Sequence, residues 1–233
     1  MSAAVAPPGW HGKLPTLGDF ASRRLDSAFV AAWDGWLAAG LLALRERDPA
    51  GWLDAYLASP SWRFLLMPGV LPGDAGAQGW AGVLMPSVDR VGRYFPFTIA
   101  VPLGHQPDSQ TQMTALWQWL GRADELAADA MQDDWSVERL ESELARMAGP
   151  DLLPSPLPAA NVPARDGELA EQLLAPGLDA AARLGFDAHG LWRAQAAGMA
   201  WWYASPETLA PRLLQSRGLP AAAALQTLLG ATI

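Results

Sequence analysis

Two apolar runs close together in the chain, Ala81 to Pro86 and Tyr94 to Pro102, constrain the fold more than any other feature of the sequence. Both are rich in β-branched and aromatic residues, and a short polar segment, Ser87 to Arg93, separates them. This pattern predicts two strands joined by a tight connection. Because each run is apolar on successive residues, we expect helices to cover both faces of the strands. The polar connection then lies at one end of the sheet.

Other segments carry the periodicities of helices and strands. Apolar positions recur at helical spacing after Asp26 and Ser27, either of which is a good N-cap, and this predicts a long helix ending near Arg47. We further predict an edge strand at 10–14, strands at 62–67 and 198–203, and helices at 48–57, 109–130, 137–147, 168–174, 205–218 and from 220 onward. Long helices between strands favour an α/β protein, specifically a three-layer α/β/α sandwich whose mixed sheet contains a central antiparallel hairpin.

One segment interrupts the chain of 233 residues. Five prolines fall between positions 150 and 163, where no usable periodicity is found, and this predicts an extended connector. Nothing else in the composition divides the chain. We therefore expect a single domain over residues 1–233, with a motif-bearing half at 1–107, a mainly helical half at 108–233 and the connector at 150–163.

Composition and charge exclude several classes of function. The formal net charge is -8 and the basic residues are scattered, which disfavours nucleic acid or an anionic membrane surface as a partner. The absence of cysteine excludes a disulfide, a thiolate nucleophile and a cysteine-ligated metal. The first residues resemble no secretory leader, and no window of 18 apolar residues is free of charge, so we expect a cytoplasmic location.

Motifs that would indicate an enzyme are missing from the sequence. There is no Gly-x-Ser-x-Gly elbow, no Walker phosphate-binding loop and no His-Glu-x-x-His. The three histidines, His11, His105 and His189, lie far apart in sequence, and we interpret each as a surface or loop residue. We accordingly expect no catalytic residue, no cofactor and no metal.

The polar segment between the two predicted strands is the densest group of charged side chains. With the N-terminal turn docked beside it, the candidate site residues are Ser87, Asp89, Arg90, Arg93, Lys13 and Asp19. Arginine binds carboxylates bidentately, so one interpretation is structural, with Asp19 paired to one of the arginines to lock two loops together. In the other, the remaining arginine and Asp89 are exposed and contact a protein partner.

An enzymatic alternative uses the same side chains. Asp19 and Asp89 with the two arginines would form a clamp for an anionic or phosphorylated substrate. This alternative predicts a concave pocket at the end of the sheet and a carboxylate whose pKa is perturbed. A third possibility is an assembly scaffold without a regulatory role.

Several further motifs stand out in the sequence. They are Gly12-Lys-Leu-Pro15 with Gly18-Asp19-Phe20, Trp52-Leu-Asp-Ala-Tyr-Leu57 before Trp62-Arg63-Phe64, Trp80-Ala-Gly-Val-Leu-Met-Pro-Ser-Val-Asp-Arg-Val-Gly-Arg-Tyr-Phe-Pro96, and, more weakly, Ala200-Trp201-Trp202 with Gly218-Leu-Pro220. Through these motifs the chain resembles the TagF family, also called ImpM, of type VI secretion-associated proteins. The resemblance covers the first half of the chain well and extends little into residues 107–198.

The resemblance implies a cytoplasmic, non-enzymatic regulator. Such a protein represses assembly or firing of a bacterial contractile secretion apparatus after translation, and it acts through the forkhead-associated-domain protein of the system. The family's fold is similar to a three-layer α/β/α arrangement, which agrees with the pattern of predicted strands and helices. The resemblance supplies no catalytic residues for this chain.

Overall fold

The computed structural model describes residues 6–104, 107, 110–147, 149–150, 169–173, 197–206 and 210–230. The strands are β1 (Gly9–Gly12), β2 (Ala21–Arg23), β3 (Trp62–Leu66), β4 (Gly79–Met85), β5 (Phe97–Leu103), β6 (Leu169–Leu173), β7 (Met199–Ala204) and β8 (Arg212–Arg217). The helices are α1 (Ser27–Arg47), α2 (Trp52–Leu57), α3 (Gln110–Gln132), α4 (Val137–Arg146) and α5 (Ala222–Leu229), with a short 3-10 helix at Gly73–Ala77.

All eight strands belong to one sheet, in the order β2-β1-β5-β4-β3-β7-β8-β6. Every pairing between the described strands is antiparallel. The protein therefore combines helices with a sheet, as predicted, but the expectation of a mixed sheet is wrong. We assigned β6 and β8 as helices and did not predict β2, but all three strands pair antiparallel with their neighbours. The helical crossovers that connect parallel strands are therefore not needed.

The apolar runs at 81–86 and 94–102 form most of β4 and β5, which pair from Gly79 with Leu103 to Met85 with Phe97. The backbones approach closely at Gly82, where an added Cβ would lie 2.2 Å from the carbonyl oxygen of Ile99. Residues 86–96 connect the strands, which makes the connection longer than the tight turn we expected. It is long enough to carry its own hydrogen-bonded structure.

Helices cover both faces of the sheet near β3. Neighbouring residues on a strand point to opposite faces, and Phe64 packs on Trp33 of α1 with ring centroids 4.9 Å apart. The next side chain, Arg63, bonds to Asp124 of α3, with 2.9 Å between Nε and Oδ2. Helices α1 and α3 thus lie against opposite faces, which explains why every residue of β4 is buried.

Helix α1 begins and ends as predicted. The Asp26 side chain caps it by accepting a hydrogen bond from the amide of Ala28 at 2.7 Å. By length and composition alone α1 could span a membrane. One face of the helix nevertheless belongs to the protein core, since Trp33 is fully buried and its indole Nε1 donates to Thr98 Oγ1 of β5 at 2.9 Å. The same helix contacts α5.

Four of the strands differ from the predictions. The strand at 10–14 corresponds to β1, but it lies between β2 and β5, so β2, which we did not predict, forms the edge. The predicted helix at 168–174 is strand β6, and the helix predicted at 205–218 contains strand β8. In both cases the pairing with a neighbouring strand outweighs the helical propensity of a short segment.

Other predicted elements agree with the structure in type and position. Strands β3 and β7 and helices α1, α4 and α5 fall where we expected them, and α2 begins at Trp52, a few residues later than predicted. Some predictions fall outside the described residues and are not compared. They concern the cap of α3 at Ser109, the histidines His105 and His189, and the proline-rich connector beyond Pro150.

Candidate functional site

The connection between β4 and β5 is a closed, hydrogen-bonded loop at the end of the sheet. The amide of Phe95 donates to the Ser87 carbonyl at 3.1 Å, and the amide of Asp89 donates to the Arg93 carbonyl at 3.0 Å. Gly92 completes the turn with a φ of 81°, a left-handed conformation that glycine adopts without strain. We call residues 87–93 the arginine loop.

The N-terminal loop, residues 13–20, docks against the arginine loop. The amide of Arg90 donates to the Leu17 carbonyl at 2.9 Å, and Ser87 Oγ donates to the Lys13 carbonyl at 2.7 Å. The Arg93 guanidinium also donates to the Gly18 carbonyl. The structure therefore brings together all six of the residues singled out from the sequence, within two loops that are bonded to each other through backbone groups.

A buried carboxylate, Asp89, holds the two loops together. Its Oδ2 lies 2.7 Å from Lys13 Nζ and 2.7 Å from Arg93 Nε. Its Oδ1 accepts hydrogen bonds from the backbone amides of Val91 at 3.0 Å and Arg93 at 2.9 Å. The side chains of Asp89 and Lys13 are 0% and 3% exposed. Both carboxylate oxygens are thus saturated by donors.

The ionisation of Asp89 follows from these contacts. Burial acts to raise the pKa of the Asp89 carboxyl, but the hydrogen bonds from Lys13, from both the backbone and the side chain of Arg93, and from the Val91 amide outweigh it. They hold the pKa well below its usual range. The group is an anion at neutral pH, and it has no free oxygen with which to accept a proton from a substrate.

Helix α2 contacts the arginine loop through the side chain of Tyr56. The Tyr56 hydroxyl accepts a hydrogen bond from the Ser87 amide at 2.8 Å and donates one to the Ser87 carbonyl at 2.9 Å. Burial raises the pKa of Tyr56 well above its ordinary value, although the bond to Ser87 opposes this. Tyr56 could not be identified from the sequence, because an isolated tyrosine in an apolar segment carries no signal of its hydrogen-bond partner.

The predicted pair of Asp19 with an arginine is present, but it is not the pair that locks the two loops together. We expected Asp19 to form the lock with an arginine, but Asp19 Oδ1 lies 3.7 Å from Arg93 Nη2 and the Asp19 side chain is 83% exposed. Solvent screens such a pair, so it contributes little to stability. The alternative expectation that Asp89 is exposed is wrong, because the carboxylate turns inward to Lys13. Of the two arginines in the arginine loop, Arg90 is the one whose side chain has no described partner.

His11 is a buried strand residue, so the interpretation of it as a surface or loop residue is wrong. Its Nε2 lies 3.3 Å from Asp34 Oδ1, and its Nδ1 has no hydrogen-bond partner within the described part of the chain. The ring stacks on Phe20, with centroids 6.2 Å apart. Burial lowers the pKa of His11, and the Asp34 carboxylate partly opposes this shift.

Three exposed side chains cover the junction of the two loops, and we call them the loop-end surface: Phe20, Arg90 and Val91. Phe20 and Val91 are 45% and 61% exposed, which is unusual for large apolar residues. Phe20 rests on Phe95 in an edge-to-face contact of 4.8 Å, and Lys13 Nζ lies 4.7 Å from its ring centroid. The surface is therefore apolar and cationic and is built on a buried support.

Two cavities within the described part of the chain are lined by residues outside the two loops. One of about 490 Å³ is lined by residues of α3 and α4, including Trp119 and Arg122. Another of about 310 Å³ is lined by Pro7, Arg24 and Pro102 among others. Within the described residues no group of three metal-ligating side chains is found. The six predicted site residues thus join two loops and present a surface; these cavities are lined by other side chains.

Comparison with known proteins shows similarity to a family model and to solved structures. Residues 9–147 match the family model described as the TagF N-terminal domain, type VI secretion system-associated. The crystal structure of PA0076 from Pseudomonas aeruginosa PAO1 is similar over 97% of this chain and 95% of that chain, with 34% sequence identity and a TM-score of 0.69. A search of curated proteins found no match.

Proposed function

Because this chain belongs to the TagF family of type VI secretion system-associated proteins, we propose that it is a non-enzymatic cytoplasmic regulator that represses such a system after translation. It does so by binding a component of the secretion apparatus. The proposed partner is the forkhead-associated-domain protein of the same system, as the family resemblance implies. Binding to that protein would keep the apparatus from assembling or firing.

The observation that carries this proposal is the loop-end surface on its buried support. Asp89 fixes the arginine loop to Lys13, and the amide of Arg90 bonds to the N-terminal loop, so the backbone that carries the exposed side chains is held in place before any partner binds. A surface that is ordered in advance loses less conformational entropy on binding. This favours recognition of a protein partner.

The state of the polar groups supports a role without bond-making chemistry. A general base needs an accessible atom within hydrogen-bond reach of its substrate. Asp89 offers none, because Lys13, Arg93 and two backbone amides occupy its oxygens. Asp19 is exposed on a loop, and the two cavities described above are lined by other side chains. The alternative of an anion-handling enzyme therefore gains no support from Asp19 or Asp89.

Deleting the gene tests the repressor role directly. Secretion of a marker protein of the system should rise in the deletion strain and return to its starting level when the full chain is expressed again. A scaffold would give the opposite result, because its loss would lower secretion. The level of the system's messenger RNA should stay unchanged, since the proposed repression acts after translation.

The proposed partner is tested by co-purification. The full chain and the forkhead-associated-domain protein should elute together when they are mixed as purified proteins. If secretion rises on deletion but the two proteins do not associate, the repressor acts on another component. If deletion leaves secretion unchanged, the regulatory function itself is wrong.

A further inference from the structure

Two of the exposed large apolar side chains belong to the loop-end surface. Within the described residues the exposed large hydrophobic side chains are Phe20, Leu42, Leu57 and Val91. Phe20 and Val91 lie on two separate loops that are bonded to each other by the Arg90 amide and the Leu17 carbonyl. Each of the two docked loops therefore exposes one apolar side chain at this end of the sheet, which favours a contact surface here.

The net charge of the two loops, residues 13–20 and 87–93, is opposite in sign to that of the whole chain. Lys13, Arg90 and Arg93 supply three cations, and Asp19 and Asp89 supply two carboxylates, which leaves one positive charge, whereas the chain carries a formal net charge of -8. Asp89 and Lys13 neutralise each other out of solvent. The charged side chains of the two loops that face solvent are therefore Arg90, Arg93 and Asp19.

Arg90 is the arginine available to a partner. Arg93 is already engaged by the Asp89 carboxylate, the Gly18 carbonyl and, at 3.7 Å, Asp19. The backbone of Arg90 is fixed to the N-terminal loop, but its guanidinium is exposed and makes no described hydrogen bond or ion pair. A guanidinium presents a fork of donors that matches the two oxygens of a carboxylate.

We propose that the loop-end surface binds an acidic segment of the partner protein. An Asp or Glu carboxylate of that segment pairs with Arg90, and the apolar side chains next to it pack on Phe20 and Val91. This inference rests on the proposed function only in that the segment belongs to the secretion component that the regulator binds. The ion pair gives specificity and speeds association, while burial of the apolar side chains supplies affinity.

A selection with random peptides displayed on phage tests the surface without assuming the partner. The wild-type full chain should enrich peptides that place Asp or Glu beside an apolar residue. The Arg90→Glu chain should lose this enrichment, and the matched control Arg122→Glu, which changes the same charge at an exposed position on α3, should keep it. Thermal melts of all three proteins should agree, since Arg90 has no described side-chain bond to lose.

The enriched peptides then allow a measurement of affinity. Arg90→Glu should weaken binding of a synthetic acidic peptide by about 30-fold, the size typical of a hot-spot residue. Val91→Asp should also weaken binding of the peptide, because it replaces an apolar contact with a carboxylate that repels the acidic residue of the peptide. Enrichment of peptides without acidic residues, or enrichment that survives Arg90→Glu, would overturn the proposal.

A parallel measurement with the forkhead-associated-domain protein separates this inference from the proposed function. If the acidic peptides depend on Arg90 but that protein does not bind, the surface assignment holds and the partner is wrong. If that protein binds wild type and Arg90→Glu equally well, the partner holds and the loop-end surface is not where it binds.

Discussion

The ammonium group of Lys13 lies 2.7 Å from the carboxylate of Asp89, and neither side chain reaches solvent. The pair joins the N-terminal loop to the connection between β4 and β5, across a large separation in sequence. Because Asp89 also binds Arg93 and two amides, it is the common partner of the cluster. Substitutions at the three charged positions should therefore have different effects on stability.

We expect the loss of stability to follow the order Asp89→Ala, then Lys13→Met, then Arg93→Ala. Removing Asp89 leaves the buried ammonium of Lys13 without a counter-charge, which is the costliest arrangement. Removing Lys13 still leaves Asp89 with Arg93 and the two amides as partners. Removing the Arg93 side chain should cost the least stability, because that side chain is half exposed. Thermal melting of the purified variants measures the order. An Arg93→Ala variant less stable than Asp89→Ala would contradict the assignment of Asp89 as the common partner.

Stability should fall as the pH is lowered below 6.5, in part because of His11. Burial sets the pKa of folded His11 below its ordinary value of 6.5, so the unfolded chain takes up the proton first. The stability due to the neutral ring is complete above pH 6.5 and is lost as the pH falls toward the folded pKa. His11→Gln keeps a donor for Asp34 and does not titrate. Urea unfolding at about pH 7.5 and about pH 5.5 should give a smaller difference for this variant than for wild type.

Thr98→Val should destabilise the protein by about 1–3 kcal/mol. The substitution conserves shape but removes the acceptor for the buried Nε1 of Trp33, which then has no described partner. Thr98→Ser keeps the hydroxyl and serves as the control for the hydrogen bond. Free energies of unfolding from urea titration give the comparison. Equal values for the valine and serine variants would show that the hydrogen bond contributes nothing.

Two glycine-to-alanine substitutions should have opposite signs. At Gly82 an added Cβ would lie 2.2 Å from the Ile99 carbonyl oxygen and 2.6 Å from the Phe64 ring, so the strands must separate, at a cost of about 1–3 kcal/mol. At Gly35, on the exposed side of α1, the Cβ would meet nothing within 4 Å, and alanine should stabilise the helix by about 0.8–1 kcal/mol. Thermal melts of the two variants measure both effects. Destabilisation at Gly35 would show that this face of α1 is covered.

Sequence reasoning found the elements whose local pattern and tertiary environment agree. Strands β4 and β5 are apolar on nearly every residue, and α1 has an N-cap followed by a regular apolar face, so each could be predicted. Strand β2 could not, because Ala21–Arg23 is short and largely polar and gains its conformation from pairing with β1. Strand β8 follows a segment with a good helix-start signal, yet Leu213 and Leu214 are buried beside β7 instead.

The candidate site was found by its density of charge, but the partners within it were not. Asp89 lies in a polar segment, so the sequence predicts an exposed residue, but its side chain is buried. Its partner Lys13 follows a strand of buried residues. Which carboxylate turns inward depends on how the two loops dock, and that is decided by backbone bonds such as the one between Arg90 and Leu17. Local sequence carries no record of those bonds.

The pairing of β3 with β7 has a consequence for synthesis of the protein on the ribosome. Phe64 pairs with Trp202, so the centre of the sheet closes only after the chain has been translated beyond that residue. Until then one side of β3 is an unpaired edge next to apolar side chains, the kind of surface that associates with other nascent chains. We therefore expect the newly made polypeptide to depend on chaperones during the interval between the emergence of β3 and that of β7.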